Sequence, residues 1–213
     1  MANINVQWAT TGLISVYDEA RDLGFDLRKF DHQDFEVQAS VRKASIDRVM
    51  GKIKTAWDQN HDSRSPQRFS EVKNGVYVIS IGEGFGVGYS GGTSEVMYIG
   101  RGVFSNRLRS HLHNWIFDMS RSLRDVPFRF YMSAIGDRRS PESFKDFEHF
   151  LLDRFREKFE EKPLINKIKG RAGHIDHEYG GSWKTPLDNR GKKYLWTIRP
   201  TERNDWFKPY EDE

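Results

Sequence analysis

The chain has 213 residues, of which 37% are hydrophobic and 14% aromatic, so it is long enough to bury a substantial core. Its 34 basic and 31 acidic residues leave a small positive excess, which allows a nucleic-acid partner without requiring one. The lack of cysteine excludes disulfides, thiolate metal sites and a cysteine nucleophile. No apolar run approaches the length of a membrane span, and no basic-then-apolar leader opens the chain. We therefore expect a cytoplasmic protein with no membrane partner.

Residues 1–72 are predicted to form a mainly helical N-terminal extension. Apolar residues at helical spacing predict a short helix around 14–23 and a longer one over about 39–58. The polar, proline-containing stretch 61–67 predicts a loop. Helices of this kind either brace the following domain or contact a partner, and the sequence favours neither role.

Residues 73–170 alternate between strand and helix patterns and are predicted to form an α+β domain. We expect a small three-stranded antiparallel sheet flanked by helices, with its strands at 77–81, 95–99 and 126–135. One helix is expected to begin with Ser105 as its cap and to run to about 119. A second is expected to open at 140–143 and to end at Pro163.

The remaining residues, 171–213, are predicted to be an irregular C-terminal tail that contacts DNA or a second subunit. Within it, residues 195–198 have the composition of a short strand. The tail also contains His174, His177 and Glu178, but their spacing lacks a zinc pattern, and a polar loop is the favoured interpretation.

A glycine-rich stretch separates the first two predicted strands, with six glycines among residues 82–92. Glycine at alternate positions is similar to a phosphate-cradling loop. However, the Gly-Lys-Ser/Thr ending is missing and no helix follows directly. The pattern favours a flexible hairpin tip.

Two tripeptides occupy the flanking strands, Gly75-Val76-Tyr77 and Tyr98-Ile99-Gly100. If these strands are antiparallel neighbours, the two tyrosines lie side by side. A phenol titrates near pH 10 unless cations lower its pKa. With Arg101 and Arg107 as nearby cations, Tyr77 would take a proton from an attacking water or orient that water. Half-buried aromatics that hold a sheet against a helix would give the same pattern.

Arg107 and His111 are four residues apart, so they share one face of the predicted helix. A guanidinium can hold a phosphate through two oxygens, and an imidazole can donate to the phosphate or position a water. Taken alone, the pair is also explained by the polar face of an ordinary amphipathic helix.

Glu148 borders the apolar stripe of the later helix, which comprises Phe144, Phe147, Leu151 and Phe155. A carboxylate at the edge of a buried face is costly unless it is paired or metal-bound. Mg²⁺ is satisfied by one or two carboxylates together with waters and phosphate oxygens. The alternative is a solvated helix face shared with Asp146 and Asp153.

In this order the motifs resemble the GIY-YIG nuclease superfamily over about residues 74–168. The resemblance implies a metal-dependent endonuclease that hydrolyses phosphodiester bonds in double-stranded DNA with Mg²⁺, for which Mn²⁺ substitutes. It implies that Glu148 binds the metal and that Asn166 fixes the geometry nearby. The catalytic residues that it implies are Tyr77, Tyr98, Arg107, His111, Glu148 and Asn166.

Three features depart from the family pattern. Val76 stands where isoleucine is usual, and Arg101 stands where lysine is frequent. The 20 residues between Tyr77 and Tyr98 are about twice the common spacing, so the glycine-rich stretch is an insertion of unexplained purpose.

The layout is similar to that of the small type II restriction endonucleases of the superfamily, which implies a homodimer on a palindromic site. Further phosphate contacts are predicted for Arg101, Arg109, His113, Arg121 and Arg124, and base reading for the hairpin, the loop 120–125 or the tail. Two alternatives stay open. One is a nonspecific or structure-selective nuclease in phage defence, toxicity or repair, and the other is a non-catalytic DNA-binding module.

Overall fold

The computed structural model describes residues 3–60, 68–82, 84–123, 125–135, 142–167, 177–188 and 192–199. These residues form five α-helices and nine strands in three sheets, which confirms the α+β class. Among them, no helix has both the length and the apolar character needed to cross a membrane. The predicted loop 61–67 and part of the predicted tail, including residues 200–213, lie outside the described ranges.

The helices are placed largely as their apolar spacing predicts. They are α1 (Val16–Arg21), α2 (Phe35–Asn60), α3 (Phe104–His111), α4 (Phe117–Ser122) and α5 (Ser143–Phe159). Short 3₁₀ turns occur at Leu27–His32, Phe69–Glu71 and Thr185–Leu187, and a π-helical segment, Leu112–Ile116, joins α3 to α4.

Three predicted helix ends are wrong. The helix expected to stop at about 119 continues through the π-helical segment into α4 and ends at Ser122, so the predicted loop 120–125 is partly helical. Ser105 is not a cap, since the N-cap of α3 is Val103, which makes no side-chain capping bond. The last helix ends at Phe159 rather than near Pro163. There Glu160 adopts a left-handed conformation with φ of 63°, which stops the helix.

The strands are β1 (Asn3–Val6), β2 (Ala9–Thr10), β3 (Gly75–Ile81), β4 (Phe85–Tyr89), β5 (Gly92–Ser94), β6 (Val96–Gly102), β7 (Phe128–Ala134), β8 (Glu178–Gly181) and β9 (Trp196–Ile198). The three strands predicted for the domain correspond to β3, β6 and β7. The short strand predicted in the tail corresponds to β9.

The central sheet is antiparallel with the order β2-β7-β3-β6. It has four strands instead of three, because the N-terminal extension adds β2 beside β7. Only two residue pairs make this addition, which is too short for a periodic pattern to reveal. All seven residues of β3 are buried, whereas β6 lies at the edge of the sheet.

Helix α2 braces the helices of the central domain. The Arg42 guanidinium donates to Asp118 at 2.7 Å and stacks 4.3 Å above the Phe117 ring. The ring centroids of Trp57 and Phe104 are 5.1 Å apart. These contacts favour a bracing role for the predicted helical extension.

The glycine-rich stretch forms a second sheet with the order β5-β4-β9, in which β4 and β9 are parallel. It is therefore largely paired strand and not a loose hairpin tip. A third, two-stranded sheet pairs β1 with β8 in parallel. Both small sheets join the later part of the chain to earlier segments through backbone hydrogen bonds.

Gly75 is required by the packing of α3 against the sheet, because a Cβ at this position would lie 1.9 Å from Cε1 of Phe104. We expect Gly75→Ala to lower the free energy of unfolding by roughly 1–3 kcal/mol, as overpacked cores do. The matched control is Gly51→Ala in α2, where a Cβ meets nothing within 4 Å. This second substitution is expected to stabilise the helix by about 0.5–1 kcal/mol. Urea unfolding of both variants checks the prediction, and a Gly75→Ala variant as stable as the unmutated protein would contradict it.

Candidate active site

The candidate site is built around the edge strand β6. Successive side chains of a strand point to opposite faces, so Tyr98 and Gly100 share one face while Ile99 and Arg101 share the other. Tyr98 consequently faces α3, and Arg101 reaches α5. Because β6 has no neighbouring strand of the central sheet on its outer side, groups from both faces can meet around it.

The two tyrosines lie side by side, as the tripeptides predict. Tyr77 pairs with Gly100 across the two strands, which places the tyrosines on one face. Their ring centroids are 6.0 Å apart and the rings are tilted by 28°. A Cβ on Gly100 would lie 2.3 Å from the Tyr98 ring, so this glycine makes room for the ring.

His111 connects Tyr77 to the helical face of the site. Its Nε2 lies 2.9 Å from the Tyr77 hydroxyl oxygen, and its Nδ1 accepts a hydrogen bond of 3.0 Å from the indole of Trp115. The imidazole also packs against Tyr98, with ring centroids 4.3 Å apart. Tyr77 is fully buried, so this chain of hydrogen bonds forms the floor of the site.

Arg107 forms the solvent-facing part of the same cluster. Its exposed guanidinium donates from Nη2 to the Tyr98 hydroxyl at 3.3 Å. It is also close enough to Tyr77 for each group to affect the pKa of the other. The side chains thus run from exposed Arg107 through half-buried Tyr98 to buried His111 and Tyr77.

The electrostatics of Tyr77 differ from the sequence-based expectation. Burial raises the pKa of the Tyr77 phenol, and this effect exceeds the lowering by the charge of Arg107. The expected fall in the pKa of Tyr77 is therefore wrong for this structure, because a buried phenolate loses its hydration. Burial, together with the charge of Arg107, lowers the pKa of His111 to about 4, so the imidazole is neutral at pH 7.

Glu148 of α5 lies beside Arg101 of β6 and forms an ion pair with it, as expected for a carboxylate at the border of a buried face. Its Oε2 accepts a hydrogen bond of 2.5 Å from Nε of Arg101, and the Glu148 side chain is only 13% exposed. Burial raises the pKa of Glu148, while Arg101 and Arg107 oppose that rise. The low exposure of Glu148 and its ion pair do not fit the alternative of a solvated helix face.

One carboxylate at this place suits a hard divalent cation. Among the described residues, no three His, Asp or Glu side chains gather as a ready metal cage. Mg²⁺ does not need such a cage, since it retains waters and uses phosphate oxygens of a substrate. Glu148 is the residue of the site that would hold the ion, and it would share or exchange its contact with Arg101.

Asn166 lies on the open edge of β6. Its side chain accepts from the Ile99 N–H at 2.9 Å and donates to the Ile99 carbonyl at 2.7 Å, as a neighbouring strand would. The Ile165 N–H donates to the Met97 carbonyl at 3.0 Å in the same manner. Asn166 therefore holds the backbone between Tyr98 and Arg101.

The glycine-rich hairpin supports the segment that carries Asn166. The Tyr89 hydroxyl donates to the Val96 carbonyl at 2.7 Å and accepts from the Leu164 N–H at 3.0 Å. The Gly91 N–H donates to the Phe159 carbonyl at 3.0 Å. A Cβ on Gly91 would lie 2.8 Å from this backbone, so only glycine allows the approach.

Two of the other predicted phosphate-binding residues, Arg109 and Arg121, are engaged by acidic side chains outside the tyrosine cluster. Arg109 pairs with Asp47 of α2 at 2.5 Å, and Arg121 pairs with Asp31 and stacks 5.3 Å above Phe30. His113 is exposed, and Arg124 lies outside the described residues. Of the residues predicted to contact phosphate, Arg101 adjoins the site, next to the predicted catalytic Arg107. DNA contacts by the other residues stay a prediction.

Some contributors could not be assigned from motifs. Trp115 is four residues after His111, and this helical spacing is the one signal for its contact. Tyr89 lies within the glycine-rich stretch, where no motif marks it. Its role follows only from its contact with Leu164, which is distant in sequence. His177, predicted to lie in a polar loop, has a side chain only 1% exposed, with Nε2 3.3 Å from Asp146 Oδ2, while His174 is outside the described residues.

Removing the amide of Asn166 should loosen β6. We expect Asn166→Leu to speed amide hydrogen exchange at Ile99, because the N–H loses its acceptor, and to cost about 1–3 kcal/mol of stability. Asn114→Leu is the control, since Asn114 is exposed and bonds only Ser110 in the described contacts. Unchanged amide hydrogen exchange at Ile99 in Asn166→Leu would contradict the assigned role of Asn166 in holding β6.

The low pKa of His111 predicts a pH-dependent stability. Between the unfolded value of 6.5 and the folded value of about 4, the unfolded chain binds the proton more readily, so acidification favours unfolding. This contribution is complete above pH 6.5 and is lost as the pH falls toward 4. We expect His111→Gln to lose less stability than the unmutated protein between pH 7 and pH 5 in urea unfolding. An equal loss of stability between pH 7 and pH 5 in both proteins would refute the low pKa of His111 as the cause.

The comparisons with known proteins add no relative from which a role could be transferred. The chain matches no protein-family model, no curated protein and no solved structure at a significant level. The arrangement of side chains around β6 is therefore the basis for any functional assignment.

Proposed function

We propose that this protein is a metal-dependent endonuclease that hydrolyses phosphodiester bonds in double-stranded DNA, of the GIY-YIG type. The observation that supports this proposal is the convergence around β6 of residues distant in sequence. The tyrosine pair, Arg107 and His111 lie on one side, and the Arg101–Glu148 pair lies on the other. Phosphodiester hydrolysis needs positive charge, an oriented water and fixed geometry, and this set can supply each of them.

Arg107 is the first group that a phosphate would meet. Its guanidinium is exposed and permanently charged, so it can hold two phosphate oxygens without a large desolvation cost. The hydroxyl of Tyr98 already accepts from Arg107 and can donate its own proton to an oxygen of the same phosphate. Arg107 and Tyr98 would thus position the scissile group over the floor of the site.

His111 and Tyr77 act from beneath as neutral hydrogen-bonding groups. The raised pKa of Tyr77 means that it keeps its proton at pH 7, which favours orienting the water over removing its proton. The low pKa of His111 likewise favours a neutral imidazole. Tyr77 would donate to negative charge that develops on the phosphate, and His111 would hold the Tyr77 hydroxyl in place from beneath.

Glu148 would hold Mg²⁺, or Mn²⁺ in its place, on the other side of the edge strand. When bound, such an ion stabilises charge on the phosphate and lowers the pKa of a bound water. Arg101 would then be released from Oε2 of Glu148 and become available to a phosphate oxygen. Asn166 would keep both groups in register by holding Ile99.

Within this proposal β3, β6 and β7 with α3 and α5 form the three-stranded nuclease core, and β2 extends it. The type II restriction layout, with a homodimer on a palindromic site, is the preferred subtype, because the sequence layout resembles that of the small restriction endonucleases of the superfamily. Light scattering of the protein with and without DNA tests the dimer.

The decisive experiment is cleavage of plasmid DNA with Mg²⁺. We expect Glu148→Gln and Arg107→Ala to lower the rate by about 10²–10³, as loss of one charge-stabilising group commonly does. Glu157→Gln on the exposed face of α5 is the matched control and should cleave normally, because Glu157 contacts Arg154 at the surface. Urea unfolding verifies that each variant is folded.

The products distinguish the subtypes. Discrete fragments support a restriction enzyme, and a smear supports a nonspecific nuclease. Cleavage confined to branched DNA supports a structure-selective enzyme. Failure to cleave duplex, branched and single-stranded DNA with either Mg²⁺ or Mn²⁺ would overturn the catalytic proposal, and binding without cleavage would then point to a DNA-binding module.

A further inference from the structure

Trp115 makes a polar contact within the site that the proposed chemistry does not use. Its indole Nε1 lies 3.0 Å from Nδ1 of His111, and Nε2 of the same imidazole lies 2.9 Å from the Tyr77 hydroxyl. The indole ring is held in place by the Phe128 ring, with centroids 5.8 Å apart and an interplanar angle of 74°. The three polar groups thus form one continuous chain.

The chemistry of the indole decides the direction of this chain. An indole N–H can only donate, so Nδ1 of His111 must be the acceptor and cannot carry a proton. A neutral imidazole has one N–H, which is then on Nε2. That N–H donates to the Tyr77 oxygen, and the Tyr77 proton is left for an acceptor other than His111.

We propose that Trp115 is a positioning residue that locks His111 in the Nε2–H tautomer and thereby makes Tyr77 a hydrogen-bond donor toward the site. The importance of this lock for catalysis rests on the proposed nuclease function. All donors in the chain then point the same way, from Trp115 through His111 to Tyr77. A chain that ends in a donor suits an anionic phosphate.

The surroundings of His111 support a neutral imidazole. Tyr77 faces it from β3, Tyr98 from β6 and Arg107 from the preceding turn of its own helix. Arg107 carries a positive charge, and burial raises the pKa of the Tyr77 phenol, so that Tyr77 is neutral at pH 7. Protonation of Nδ1 would in addition place an N–H directly against the indole N–H.

The backbone around this contact is unusual. Leu112–Ile116 is π-helical and begins immediately after His111, so Trp115 lies inside the widened turn. Such segments are rare and occur frequently at functional sites. The π-helical turn sets the position of the indole relative to the imidazole, which a regular sequence-based helix assignment does not reveal.

The tautomer can be measured directly by long-range ¹H–¹⁵N correlation of the histidine ring, with the His111 signals assigned by their loss in His111→Gln. We expect a single Nε2–H tautomer in the unmutated protein at pH 7. Trp115→Phe keeps an aromatic ring but removes the donor, and it should show both tautomers in exchange. An Nδ1–H tautomer in the unmutated protein, or an unchanged tautomer in Trp115→Phe, would overturn the proposal.

A second variant separates hydrogen bonding from packing. Phe128→Leu alters the support of the indole ring but leaves its N–H, so the Nε2–H tautomer of His111 should persist. Loss of the tautomer in Phe128→Leu to the same extent as in Trp115→Phe would assign the effect to packing and reject the lock.

The consequence for cleavage is a separate measurement. Trp115→Phe should lower the rate at pH 7 about two- to tenfold, the effect expected from one neutral hydrogen bond. The acid limb of the pH–rate profile of Trp115→Phe should move toward the ordinary pKa of histidine. If the unmutated protein shows the Nε2–H tautomer but cleaves no DNA, the nuclease function fails and the tautomer lock stands. If the protein cleaves DNA and Trp115→Phe leaves the tautomer unchanged, the lock fails alone.

Discussion

The site depends on one constraint, which is that β6 is the edge strand of the central sheet. Alternation along a strand sends Tyr98 and Arg101 to opposite faces, and in a central strand these faces would be separated by a neighbour. At an edge the two sets of side chains can act on one ligand. The same edge leaves backbone groups unpaired, and Asn166 satisfies those of Ile99 with its side chain. Site geometry and edge protection are therefore provided by the same residues.

Burial determines how the polar groups of the site behave. It raises the pKa of Tyr77 and Glu148 and lowers that of His111, so each group is pushed toward its neutral form. The exposed Arg107 and the Arg101–Glu148 pair supply the charge that remains. Under the proposed function, a neutral hydrogen-bonding floor beneath a charged rim would suit a phosphate, because the rim would attract the anion and Tyr77 would orient it.

The glycine-rich insertion gains a structural purpose from these contacts. Its backbone lies directly against the end of α5, and Tyr89 bridges β6 to the segment before Asn166. The insertion thus stiffens the outer side of the site. Its partner β9 brings half-exposed Trp196 over Phe85, with ring centroids 6.5 Å apart. Strand β9 and the insertion consequently form one sheet beside the core.

Much of the architecture follows from the sequence by itself, because hydrophobic periodicity and glycine placement are local signals. They predict β3, β6, β7 and most of α1, α2, α3 and α5, and they place Tyr77 beside Tyr98. Other features depend on contacts between distant segments, which no local pattern encodes. These features are the added strand β2, the pairing of β4 with β9, the engagement of Arg109 and Arg121 by acidic partners, and the direction of the Trp115–His111–Tyr77 chain. Tertiary structure decided the strand pairings and the ion pairs because they join segments that are far apart in the chain. It decided how the buried polar groups behave because the pKa and the hydrogen bonds of a group depend on the residues that bury it.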